Sequence, residues 1–149
     1  LLGESELQAR LAVMLGGRAA EALTFGEPST GAADDLARAT DLARRMITEY
    51  GMSPALGPVR LAAEPGAFYL GTPSGLDARV SPQVAAEVDA ETRRMVEAAL
   101  GRTWNLLEEH QAALRRLATR LCEQETVEGA EVAAILAASD MAREPVYAA

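Results

Sequence analysis

The 149 residues contain one histidine, His110, and one cysteine, Cys122, and that scarcity limits the chemistry before any fold is considered. A tetrahedral zinc site draws three or four protein ligands largely from His and Cys, with carboxylates completing the set. The chain cannot build a conventional His-rich centre alone. Nucleophilic catalysis finds little support either: a Ser, His, Asp triad would have to use His110, and no GxSxG elbow is present. A single cysteine excludes an internal disulfide and suits a reducing compartment. His110 falls where two helical patterns meet, a place that fits a cap or a surface hydrogen bond better than a ligand or a base. Asp34 and Asp35 are the remaining pair of note. They stand where a helical pattern begins, and the exposed N–H groups and dipole of a helix start favour negative charge, so their elementary role is helix initiation.

The elements that would position these groups read as helices. Alanine supplies 31 residues and Phe, Tyr and Trp only 4%, a composition that favours closely approaching helices over an aromatic-rich sheet. Leu7, Leu11, Leu15 and Ala19 recur at four-residue intervals, with Met14 and Ala22 widening the stripe, and predict a first helix over about 6–23. Ser5 is its expected N-cap, with Gln8 at the capping-box position. Gly16 and Gly17 weaken a helix by about 1 kcal/mol each relative to alanine, so close approach by another backbone is expected there. They are not a phosphate loop, because GxxxxGK is absent.

A second helix is expected through ADDLARATDLARRMITEY, with Leu36, Ala39, Thr40, Ala43, Met46 and Ile47 inward and Gly51 as the stop. Arg38, Asp41, Arg44 and Arg45 form its wet side. Residues 51–80 are punctuated by Gly and Pro and read as a long irregular loop, in which PVRLA and AFYLG are each able to form a short strand. Phe68, Tyr69 and Leu70 would anchor it. Ser81 and Pro82 then supply a cap and a first helical residue for a long helix to about Glu109, striped by Val84, Val88, Met95, Ala99 and Leu106. Trp104 is expected against that stripe, with an interface as the alternative. Leu114, Leu117, Leu121 and Cys122 make a shorter face, and Val132, Ile135 and Leu136 a last short helix; the tail after it is either loosely held or packed in an oligomer. The fold class is mainly α: a helical bundle with a long irregular loop, in one domain over 1–149.

Charge narrows the partners. Fourteen basic against 22 acidic residues leave a formal net charge of -8, which repels phosphate backbones, so no nucleic acid is expected. No apolar run reaches membrane-spanning length, which predicts a soluble, cytoplasmic segment.

Three stretches carry a more specific signal: GGRAAE at Gly16 to Glu21, TGAxxD at Thr30 to Asp35, and ATDLARRMITEYGM at Ala39 to Met52, followed by LGPV at Leu56 to Val59. Together they resemble the peptidase domain of the FtsH family of membrane-anchored, ATP-dependent zinc metalloproteases, with weaker similarity extending over about residues 4–138. In that family two histidines of a HExxH helix and the aspartate of TGAxxD bind one zinc, which polarises the scissile carbonyl while the HExxH glutamate assists the bound water. The resemblance makes Asp35 the metal ligand and assigns no catalytic residue to this chain, because HExxH is absent and His110 lies in no such motif. It implies that the HExxH-bearing part precedes this segment, that zinc binds in the complete member and not to this chain alone, and that protein or peptide substrates reach a hexamer through an ATPase ring. No Walker motif is present here. The alternative is a non-catalytic helical assembly or interaction protein derived from the same fold, which would expose an apolar patch and need no zinc.

Overall fold

The computed structural model describes residues 1–63 and 75–141, and contains helices α1 (Glu4–Phe25), α2 (Ala33–Thr48), α3 (Pro82–Glu109), α4 (Gln111–Gln124) and α5 (Gly129–Met141). A single 3-10 turn, Thr30–Ala32, leads into α2. The AFYLG stretch with Phe68, Tyr69 and Leu70, and the tail beyond Met141, lie outside the described residues. No described helix is long and apolar enough to cross a membrane. The chain divides into two compact units, Leu1–Thr103 and Trp104–Ala149.

The first unit is built on the stripes that the periodicity marks. Leu7, Leu11, Leu15 and Ala19 are the buried residues of α1, and Ala39, Ala43, Met46 and Ile47 are buried on α2. Val88, Met95 and Ala99 of α3 join the same core, with Leu36 packed partly buried against it. Ala39, Ala43 and Ala99 are all fully buried, so methyl-sized side chains stand where the helices meet. Each fully buried Leu or Ile there contributes about 1.5–3 kcal/mol. Thr103 reaches across to α1, its hydroxyl 3.4 Å from the Ala12 carbonyl and 2.8 Å from that of Ala99.

Several local expectations change. The first helix starts at Glu4 with Gly3 as its N-cap, so Ser5 lies inside it and Gln8 donates to Glu4 Oε1 instead of closing a box. No side chain caps this helix; Glu4 and Glu6 in its first turn supply charge that favours the start. Among the described residues no backbone approaches Gly16 or Gly17: a Cβ built on either meets no atom of theirs within 4 Å. Thr40, expected inward, is exposed, and its hydroxyl donates to the Leu36 carbonyl at 2.8 Å.

Among the described residues the long loop contains no strand, only an isolated antiparallel bridge between Ala62 and Leu76. The end of PVRLA pairs there: Ala63 N–H donates to Gly75 O and Asp77 N–H to Leu61 O, both at 2.9 Å. Leu61 and Ala62 also donate to the Thr48 carbonyl at 2.8 and 3.0 Å, satisfying an orphan acceptor at the end of α2. Asp77 accepts from the Arg79 guanidinium and, secondarily, from its backbone N–H, which hold its carboxyl well below the usual carboxylate range. Ser81 then caps α3 as expected, its Oγ accepting from Val84 N–H at 3.3 Å.

In the second unit α4 packs on α5. Ala113 and Ser139 are buried, while Leu114, Leu117, Val132 and Ile135 are only half-buried. Leu106, Leu121 and Leu136 are 55%, 42% and 39% exposed and Cys122 is exposed, so the stripes read for this region are not fully covered. Trp104 is half-buried. Arg120 ties the two helices, bonding Glu131 at 2.7 Å and Glu123 at 3.0 Å. Helix α4 ends on Glu125 with φ +61, a left-handed position that favours glycine. Glu125→Gly should therefore raise the stability of this unit by about 0.5–1 kcal/mol, read as a higher thermal unfolding midpoint; an unchanged or lower midpoint would refute the backbone argument.

Candidate functional site

The positioning of Asp35 begins at the other end of the preceding loop. Helix α1 stops at Gly26, whose φ of +82 turns the chain while its N–H donates to the Ala22 carbonyl. One turn earlier, Glu21 points at the returning chain: its Oε2 accepts from Ser29 N–H and its Oε1 from Ser29 Oγ, both at 2.8 Å. Ser29 in turn caps the 3-10 turn by accepting from Gly31 N–H at 3.1 Å. A Cβ on Gly31 would lie 3.2 Å from Ser29 Oγ, so a larger residue would crowd the cap. This relay fixes the turn that opens α2, and Asp35 follows half-buried in the first turn, with Asp34 exposed beside it.

Glu21 was visible in the sequence only as the last letter of GGRAAE. Its role as the anchor of the Asp35 loop needs the fold, since eight residues separate donor and acceptor. The Ser29 backbone N–H, then its hydroxyl and the Arg18 charge, hold the Glu21 carboxyl below its ordinary value of 4.5. A lowered folded value means that the tie favours the folded loop above about 4.5 and is lost as pH falls through the lowered value. Ser29→Ala removes the hydroxyl bond, so the Glu21 carboxyl resonance should titrate closer to 4.5 in the variant than in the parent. Coincident titration curves would show that the hydroxyl is not what shifts it.

The structure gathers no group of three or more His, Cys, Asp and Glu side chains that could hold a metal among the described residues. One carboxylate does not satisfy a four-coordinate zinc, so the described donors do not fit the ion by themselves. His110 belongs to the second unit. It occupies the N-cap position of α4, where its carbonyl accepts from Leu114 N–H, but its side chain makes no cap bond. Its buried Nδ1 lies 3.3 Å from Asp140 Oδ1, within ion-pair distance yet outside hydrogen-bonding geometry.

Comparison with known proteins bears on what this arrangement belongs to. Residues 1–135 match the model of peptidase family M41. The chain is 46% identical over 137 residues to the ATP-dependent zinc metalloprotease FtsH of Rhodococcus erythropolis, covering 92% of this chain and 16% of that protein. The protein of the same name from Mycobacterium leprae is 45% identical over 133 residues, covering 89% and 17%. That of Mycobacterium tuberculosis is 43% identical over 141 residues, covering 95% and 18%. The chain thus spans less than a fifth of the length of these relatives.

Proposed function

Because the chain belongs to peptidase family M41, we propose that it forms a single segment of an FtsH-like zinc metalloendopeptidase domain that serves ATP-dependent protein degradation. The observation that carries this reading is the tie between the two signature stretches. Glu21 ends GGRAAE and Ser29 directly precedes TGAxxD, and their two 2.8 Å bonds hold the turn on which Asp35 sits. Asp35 is the residue of this chain that contributes a ligand to zinc in the complete protein. The other ligands and the water-activating base come from residues that this chain does not contain. The segment alone therefore does not hydrolyse peptides.

Metal analysis and cleavage of unfolded casein, run on the full-length protein and on this segment, test the reading. Chelator-sensitive cleavage is expected from the full-length protein only. Stoichiometric tight zinc with sustained, chelator-sensitive cleavage by the segment would overturn the inactive assignment, and a full-length protein without metal-dependent cleavage would overturn the peptidase assignment.

The complete protein is proposed to be membrane-anchored, with this segment on the cytoplasmic side, and to assemble as a hexamer. Exposed Leu106, Leu121 and Leu136 in the second unit favour an assembly role. A strictly monomeric mass of the full-length protein over a wide concentration range would defeat the hexamer.

A further inference from the structure

A groove of about 440 Å³ runs along the first unit between α2 and α3, within the size range of ligand pockets. Its apolar lining comes from Leu36, Val96 and Leu100, and three guanidiniums, Arg18, Arg44 and Arg93, stand around it. Asp89 and Glu97 are the acidic side chains of the lining, so the groove holds an excess of one positive charge in a chain of net charge -8. The three cations are not equivalent. Arg44 is committed to Asp89 at 2.8 Å. Arg18 acts on Glu21 only through its field, and neither Arg18 nor Arg93 has a carboxylate within ion-pair distance among the described residues. Two guanidinium forks are thus available beside aliphatic surface, the pairing that recognises a carboxylate flanked by an apolar group.

The dimensions favour a polypeptide over a small acid. From Leu36 to Arg44 the helix rises roughly 12 Å, and from Asp89 to Leu100 roughly 16 Å, at about 1.5 Å per residue. An extended chain at about 3.3 Å per residue would lay some four or five residues along that length. We propose that this groove binds an acidic, apolar peptide segment, with a carboxylate taken by Arg18 and Arg93 and a neighbouring aliphatic side chain set against Val96 and Leu100. The proposal stands on the groove alone and holds whether or not the complete protein hydrolyses peptides.

Fluorescence anisotropy with a short fluorescein-labelled peptide carrying two Glu-Leu pairs in an alanine background tests it, on the full-length protein and on this segment. Binding is expected to both, and to weaken about tenfold or more when the peptide glutamates become glutamines or when Arg18→Gln and Arg93→Gln are combined. Arg102→Gln, which lies outside the groove lining, should leave affinity unchanged. Equal affinity for the glutamine peptide overturns the proposal, and this arm needs no protein variant to fold. Undiminished binding by a folded double variant overturns it as well. So does binding to the segment with none to the full-length protein, which would mean that the rest of the protein covers the groove.

Discussion

Asp35→Asn in the full-length protein is expected to lower zinc affinity and casein cleavage by about 100-fold or more while leaving the protein folded. The expectation separates two roles that the same carboxylate could fill. If Asp35 only complements the start of α2, its loss costs about 0.3–1 kcal/mol of stability and nothing else, because that is the worth of a charge at a helix N-terminus. If it binds metal, removing an anionic donor from a site that usually has three protein ligands costs far more than the 10–100-fold typical of losing an outer-shell partner. Asp34 provides the internal control. It occupies the same first turn and carries the same charge, but is exposed where Asp35 is half-buried. Asp34→Asn should therefore lose the small helix-start contribution and retain zinc. Equal metal content in the two variants would remove Asp35 from the site.

A neighbouring substitution separates ligand from scaffold. Glu21→Gln keeps the shape of the side chain but leaves one acceptor oxygen where two carboxylate oxygens each accept from Ser29, so one bond is lost or reversed and the other loses its charge. Its effect on zinc should be smaller than that of Asp35→Asn, because it loosens the turn without deleting a donor.

How much of this was legible in the sequence depends on whether a feature is local. The buried faces of α1 and α2 follow from four-residue spacing, because a helix turns its residues to one side regardless of what covers them. Ser81 also reads correctly, since a cap and the N–H it serves lie three residues apart. What periodicity cannot tell is what packs on the apolar face. Leu106, Leu121 and Leu136 continue their stripes and are nonetheless exposed. The expectation at Gly16 and Gly17 fails for the same reason: small residues suggest a close neighbour, and among the described residues no backbone fills the space. Asp35 could be placed at a helix start from residue types alone, and the metal role proposed for it came only with the resemblance. The Glu21 to Ser29 tie had no local signal, because it closes a turn whose path is set by Gly26 in the left-handed region.

Gly51→Ala should destabilise the first unit by about 2–4 kcal/mol, the largest stability effect of the substitutions considered. Two separate costs meet at this position. With φ at +64 the backbone is left-handed, which costs an L-residue about 1–2 kcal/mol. The added Cβ would also lie 3.0 Å from Pro58 Cα, 3.3 Å from Pro58 C and 3.3 Å from Val59 N. These are main-chain atoms, so no side-chain rotation relieves the contact. Moving them displaces the stretch that carries Leu61 and Ala62 back to the Thr48 carbonyl, and with it the pairing to residues 75–77. Gly57 isolates the two costs. Its φ is +75, but a Cβ there meets nothing within 4 Å among the described residues, so Gly57→Ala should show the left-handed cost alone. Urea midpoints of the two variants, measured with the far-ultraviolet helix signal, give the difference directly. If Gly51→Ala is no worse than Gly57→Ala, the close approach of Pro58 is not what demands glycine, and the loop after α2 is held less tightly than its hydrogen bonds imply.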